Sequence, residues 1–143
     1  GLLITATAFK EGYEFKGWYL DKKFKKKVTV INKGSSGNKT LYAKWKKISL
    51  KQAVISKVQN VSGKKIKVTV KKVSGADGYQ IQYSTKSNMK SAKTVTSSKT
   101  TTTISKLSKG KKYYVRVKAY KKDSTGKKVA GKWSKVKNFK VSK

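Results

Sequence analysis

The chain has 143 residues, with 38 Lys plus Arg against 5 Asp plus Glu, a formal net charge of +33. All of those cations are lysine except Arg116, and Cys, His and Pro are absent. That composition excludes disulfide staples, thiolate and imidazole metal sites, thiol nucleophiles and the commonest neutral-pH general base.

Apolar residues at 36 % with so high a charge would by themselves fit disorder. The order of the residues argues for a fold instead. Several segments alternate strictly between apolar and lysine positions, the pattern of half-buried strands. The charge then reads as a solvated outer face over a core, and the fold class as mainly β. The length suits one ordinary domain or two small ones. No apolar run approaches the roughly 20 residues of a membrane helix. Gly1 leads straight into Leu2–Leu3–Ile4 with no basic leader, so the expectation is a portion of a longer product, with domains upstream.

In residues 1–46, Gly12–Tyr19 reads as a strand with large residues on both faces, Lys27–Ile31 as a second and Thr40–Trp45 as a third. Asn32–Asn38, with Gly34, Ser35, Ser36 and Gly37, reads as a loop. Residues 47–53 read as a linker, and 54–143 as a sandwich of short strands. Ile66, Val68 and Val70 alternate with lysines and Thr69. After the turn Ser74–Gly78, Tyr79, Ile81 and Tyr83 alternate with Gln80, Gln82 and Ser84. Tyr113, Val115, Val117 and Ala119 alternate with Tyr114, Arg116, Lys118 and Tyr120. Parity breaks between Val136 and the pair Phe139 and Val141, so a bulge is expected there.

Lys10–Glu11–Gly12–Tyr13, Phe15, Gly17–Trp18–Tyr19 and Leu41–Tyr42–Ala43–Lys44–Trp45 carry a resemblance to the Listeria–Bacteroides repeat, an internalin-type module of bacterial surface proteins. The resemblance implies a small β-grasp-like sheet, truncated of its first strands here, with an edge open to another chain. Leu107–Ser108–Lys109–Gly110–Lys111–Lys112–Tyr113, with Val115, Val117 and Ala119, is similar to the tyrosine corner of fibronectin type III domains. Asp77–Gly78–Tyr79–Gln80–Ile81–Gln82–Tyr83 resembles the entry to their strand C. The implied fold over 54–143 is a fibronectin type III, Ig-like β-sandwich. Val70 departs from the pattern, since many members carry a core Trp there.

No catalytic constellation is expected. Glu11 and Glu14 are three apart, on opposite faces of a strand, and Asp77 and Asp123 stand in turns. Gly34–Ser35–Ser36–Gly37 lacks the Lys–Ser/Thr ending of a phosphate loop. The acids are too few and scattered for a calcium cage. The chain is therefore expected not to be an enzyme and to carry no cofactor or metal. The sequons at Asn38 and Asn60 read as chance matches.

Gly63–Lys64–Lys65, Gly110–Lys111–Lys112 and Gly126–Lys127–Lys128 all fall at turns. The sandwich resemblance implies that the first two share a pole with the turn bearing Lys86 and Lys90. The expected polyanion-binding set is Lys64, Lys65, Lys86, Lys90, Lys109, Lys111 and Lys112. The third unit is expected at the opposite pole, facing the first module. A second candidate is the row Tyr114, Arg116, Lys118 and Tyr120, where aromatics interleaved with cations can stack on sugars. The competing account is that such rows stabilise any exposed sheet face.

Lysine acts as a hydrated point charge suited to diffuse, salt-sensitive attraction, whereas base readout leans on arginine. Anionic wall or host polymers, such as teichoic acids and glycosaminoglycans, are thus expected over sequence-specific nucleic acid. A plain solubility coat is the other account of the charge. The expected role is surface display, spacing or adhesion outside a bacterial cell. The alternative is an accessory C-terminal module of a larger secreted enzyme.

Overall fold

The structure, a computed structural model, describes residues 2–4, 7–31 and 40–143, those at 2 and 3 by backbone alone. The loop expected over 32–38 and the sequon asparagine Asn38 lie outside the described residues. The described residues form strands and no helix, and none is long and apolar enough as a helix to cross a membrane. The chain divides into two compact units, Gly1–Ile48 with Lys122–Val129, and Ser49–Lys121 with Ala130–Lys143.

In the first unit, β1 (Leu2–Leu3) pairs antiparallel with β4 (Val30–Ile31). The central strand β2 (Tyr13–Tyr19) lies between β3 (Lys27–Val28) and β5 (Tyr42–Lys47). The single second strand read from the sequence is thus two pieces with different partners. Phe15 and Trp18 are three apart and would face opposite ways in a regular strand. A register shift between Phe15 and Gly17 leaves Lys16 as an extra residue, so the two rings meet edge-on at 5.4 Å. Gly17 adopts φ +115°, a backbone conformation that residues with a side chain rarely take, so glycine suits this bulge. Trp45, opposite Phe15, completes the cluster at 5.5 Å. Tyr19 packs edge-on against Phe24 at 5.5 Å.

The remaining strands form two antiparallel sheets. One orders β10 (Thr101–Ile104), β7 (Lys65–Val70) and β6 (Ile55–Val61). The other orders β12 (Lys128–Ala130), β11 (Lys112–Lys122), β8 (Gly78–Ser84) and β9 (Lys93–Ser97), with β13 (Lys137–Lys140) also on β11. The apolar members of each alternation point inward. Ile66, Val68, Ile81, Val115, Val117 and Val141 are the largest fully buried side chains. At roughly 1.5–3 kcal/mol per buried aliphatic side chain, this core is the main stabilising term of the sandwich. Val70 takes its place in that core, and Ala53, within the segment read as a linker, is 1 % exposed in it.

The expected bulge lies upstream of where parity placed it. β13 pairs with β11 without a shift, Val115 opposite Lys137 and Tyr113 opposite Phe139. The slip falls over residues 131–137: Gly131 N donates to Ala119 O and Ser134 N to Val117 O, before Lys137 meets Val115. Ser134 Oγ fills the gap by accepting from Val117 N at 2.9 Å. Asn60 closes the opposite side, donating to Lys140 O and accepting from Ser142 N at 3.0 Å each. That sequon asparagine is thus occupied in tying β6 to the last strand.

Candidate functional site

Seven lysines were expected at one pole, and the structure brings their loops together. The β6–β7 turn holds Lys64 in a left-handed conformation, φ 62°. Its carbonyl accepts from Leu107 N at 3.1 Å, joining that turn to the β10–β11 loop. The same loop is held to the chain's last strand by Gly110 N→Val141 O and Val141 N→Lys111 O. The β8–β9 turn is held by Ser84, whose buried hydroxyl donates to Lys90 O at 2.7 Å and accepts from Lys86 N at 3.1 Å. Met89, within this turn, is buried. Lys64, Lys65, Lys86, Lys90, Lys109, Lys111 and Lys112 are all exposed. No acid occurs in any of the three loops.

The second candidate, the β11 row, divides. Arg116 Nε and Nη2 both donate to Gln82 Oε1, at 2.9 and 2.8 Å, across the β8–β11 pair. The indole of Trp133 lies against Arg116 at 4.3 Å and Lys118 at 4.5 Å. The order Gln82, Arg116, Trp133, Lys118 is a stack across the outer sheet face, each worth on the order of 0.5–1 kcal/mol. Tyr114 sits beneath Lys112 Nζ at 5.5 Å. Tyr120 does not belong to an exposed row: it is buried, 8 % exposed, with its ring over Gly78. A Cβ on Gly78 would lie 2.7 Å from both Tyr120 Oη and Ser97 O, so the missing side chain makes the socket that withdraws Tyr120.

The third Gly–Lys–Lys unit lies in the loop Lys122–Val129, which packs within the first unit. Asp123 organises it. One carboxylate oxygen accepts from Gly12 N at 2.7 Å. The other accepts from Thr125 N, Thr125 Oγ1 and Lys127 N. Those donors, Gly12 foremost, outweigh its burial and push the Asp123 carboxyl down to about 2. Ser124 Oγ accepts from Lys10 N and donates to Lys10 O, and Ser124 N donates to Tyr13 O. Lys127 pairs with Glu11, which raises the lysine's pKa.

A fibronectin type III family model matches residues 55–132. The chain belongs to that family. A Listeria–Bacteroides repeat model matches residues 2–44, so the two modules follow one another as the motifs implied. No curated protein matches the chain at a significant level. Among solved structures, the FN1-FN3 domains of chicken CNTN1 superimpose with a TM-score of 0.55 at 21 % identity, over 73 % of this chain and 35 % of that one. This chain therefore spans about a third of the length of that three-domain chain. The 6th fibronectin type III domain of human fibronectin type III domain containing protein 3 gives 0.53 at 20 % identity, over 76 % and 92 %. A fibronectin type III domain of human KIAA0970 gives 0.53 at 15 %, over 63 % and 72 %. These likenesses speak to fold alone.

The fibronectin signature carries its expected hydrogen bond. Tyr113 Oη accepts from Ser108 N at 2.8 Å, and its ring stacks on Phe139 at 5.8 Å. The acids are all engaged: Glu11 with Lys127, Glu14 with Lys16, Asp77 with Lys121, Asp21 capping Lys25 N and Lys26 N, and Asp123 as above. The Asp21 carboxyl is lowered, chiefly by the Lys26 amide. No cluster of three metal-ligating side chains occurs among the described residues. The sequence set Asp123 in a turn, but its partners at residues 10–13, like the Arg116 and Lys118 partners of Trp133, are brought near only by the fold.

Proposed function

We propose that the chain is a non-catalytic display, spacing or adhesion module of a larger protein on a bacterial cell surface. It would associate with anionic wall or host polymers through the lysines of one sandwich pole. The repeat and fibronectin families fit an extracellular or surface setting. The observation that carries the polyanion reading is the nearness of three lysine-bearing, acid-free loops: the Leu107 N–Lys64 O bond joins the β6–β7 turn to the β10–β11 loop, and the β8–β9 turn lines a cleft with that loop. The engagement of every carboxylate supports a non-catalytic role. In this reading the modules run 1–46 and 54–143, and the row around Arg116 serves the sheet rather than a ligand.

The test is retention on immobilised heparin or teichoic acid across a salt gradient. Binding by point charges should weaken steeply as salt rises. Retention is expected to persist at about 0.15 M salt, where the screening length is about 8 Å. Free passage at that salt contradicts the proposal.

A further inference from the structure

Between the β8–β9 turn and the β10–β11 loop lies a cleft of about 290 Å³. Its floor includes Tyr83, Leu107 and Tyr113. Its rim carries the hydroxyls of Thr85, Ser91 and Ser105 and the ammonium groups of Lys93 and Lys106. All five rim residues are exposed, and none of their side chains has a hydrogen-bond or ion-pair partner among the described residues. Neither Lys93 nor Lys106 was singled out in the sequence.

The walls are fixed in advance. Met89, Ser91 and Lys106 hold left-handed conformations at φ 63°, 57° and 60°, uncommon for non-glycine residues. Ser84 pins one wall and the Tyr113 hydroxyl, through Ser108 N, pins the other. Rigid walls reduce the ordering cost of binding. The volume is at the small end of the ~300–1,000 Å³ typical of ligand pockets. It suits one sugar or polyol unit and not a folded partner. Two cations set among three hydroxyls offer several donors to one multi-oxygen anion, with further partners for neighbouring alcohol groups.

We infer that this cleft binds a tetrahedral oxyanion ester on a hydroxylated carbon skeleton, a sugar sulfate or a polyol phosphate. The inference rests on the polyanion reading above and assigns it a defined subsite within the diffuse lysine field.

The test uses the full chain, backbone amide NMR shifts and two short probes, a 6-sulfated glucosamine disaccharide and glycerol phosphate. At least one probe should shift residues 83–93 and 105–107 selectively, the responding probe identifying the source of the ester. Lys93→Gln/Lys106→Gln should weaken that response at least tenfold, while Lys71→Gln/Lys72→Gln, exposed lysines outside the pole with the same loss of charge, should change it less than twofold. Thr85→Val/Ser105→Ala, which leaves charge untouched, should also weaken it severalfold. Response to neither probe, shifts spread over all exposed lysines, or equal effects of the two lysine pairs each overturn the inference. Retention of long polymers alongside any of those results would leave the diffuse reading standing, whereas loss of polymer retention itself would remove that reading.

Discussion

In the unit Ser49–Lys121 with Ala130–Lys143, fifteen apolar side chains form one closed core, several of them with no exposure at all. In the unit Gly1–Ile48 with Lys122–Val129, Ile48 and Asp123 are the buried residues among those described, and every residue of β2 is half-buried. The first arrangement relies on area removed from water. The second relies on edge-on aromatic contacts and on a carboxylate that gathers backbone donors from distant parts of the chain. A lysine surface is tolerable over either, but the difference predicts unlike responses to substitution and to acid.

The largest effect is expected from emptying the sandwich core. Ile66→Ala should cost about 2–5 kcal/mol in denaturant unfolding, the usual range for a buried aliphatic truncation. Phe15→Ala, at a half-buried site, should cost roughly half of the ~3–5 kcal/mol typical of buried phenylalanine. Equal losses would erase the contrast between the units.

Asp123→Asn probes the polar anchor more finely. The asparagine carbonyl can keep the bonds from Thr125 and Lys127, while its NH₂ group would oppose Gly12 N–H. Gly12 amide exchange should therefore accelerate with the amides of Thr125 and Lys127 still protected. Because the folded carboxyl is held at about 2, below its usual 3.8, its stabilisation is present above that usual value and fades as pH falls through about 2. In the native chain, Gly12 protection should decline between about pH 4 and pH 2. The Asn variant should show no such decline, and an unchanged decline would assign it to another group.

Tyr113→Phe removes one hydrogen bond while keeping the ring on Phe139. It should cost about 1 kcal/mol by thermal or denaturant unfolding. A neutral result would mean that packing alone holds the corner.

Much of the sandwich was legible because strict alternation sets the inward face of β7, β8 and β11 without tertiary information. Motif-length signals carried both modules and the turn positions of the lysine pairs. Parity failed where geometry is non-local. It set Tyr120 on the outer row, but the bare backbone at Gly78 gives the ring a socket. It placed the irregularity after Val136, whereas Ser134 absorbs the slip by hydrogen-bonding Val117. The Asp123–Gly12 bond spans 111 positions, and no local pattern announces it. No motif marks Lys93 or Lys106, and only the cleft sets them on one rim.

The central claim is that the lysines act as a pole and not as a uniform coat. The most direct measurement compares two variants of equal net charge in salt-gradient retention on one anionic polymer. Lys64, Lys65, Lys111 and Lys112 are each changed to Glu in the first; Lys57, Lys67, Lys71 and Lys72 are each changed to Glu in the second. The account predicts that the first variant elutes at markedly lower salt, with a shallower salt dependence, than the second. Coincident elution of the two would contradict it.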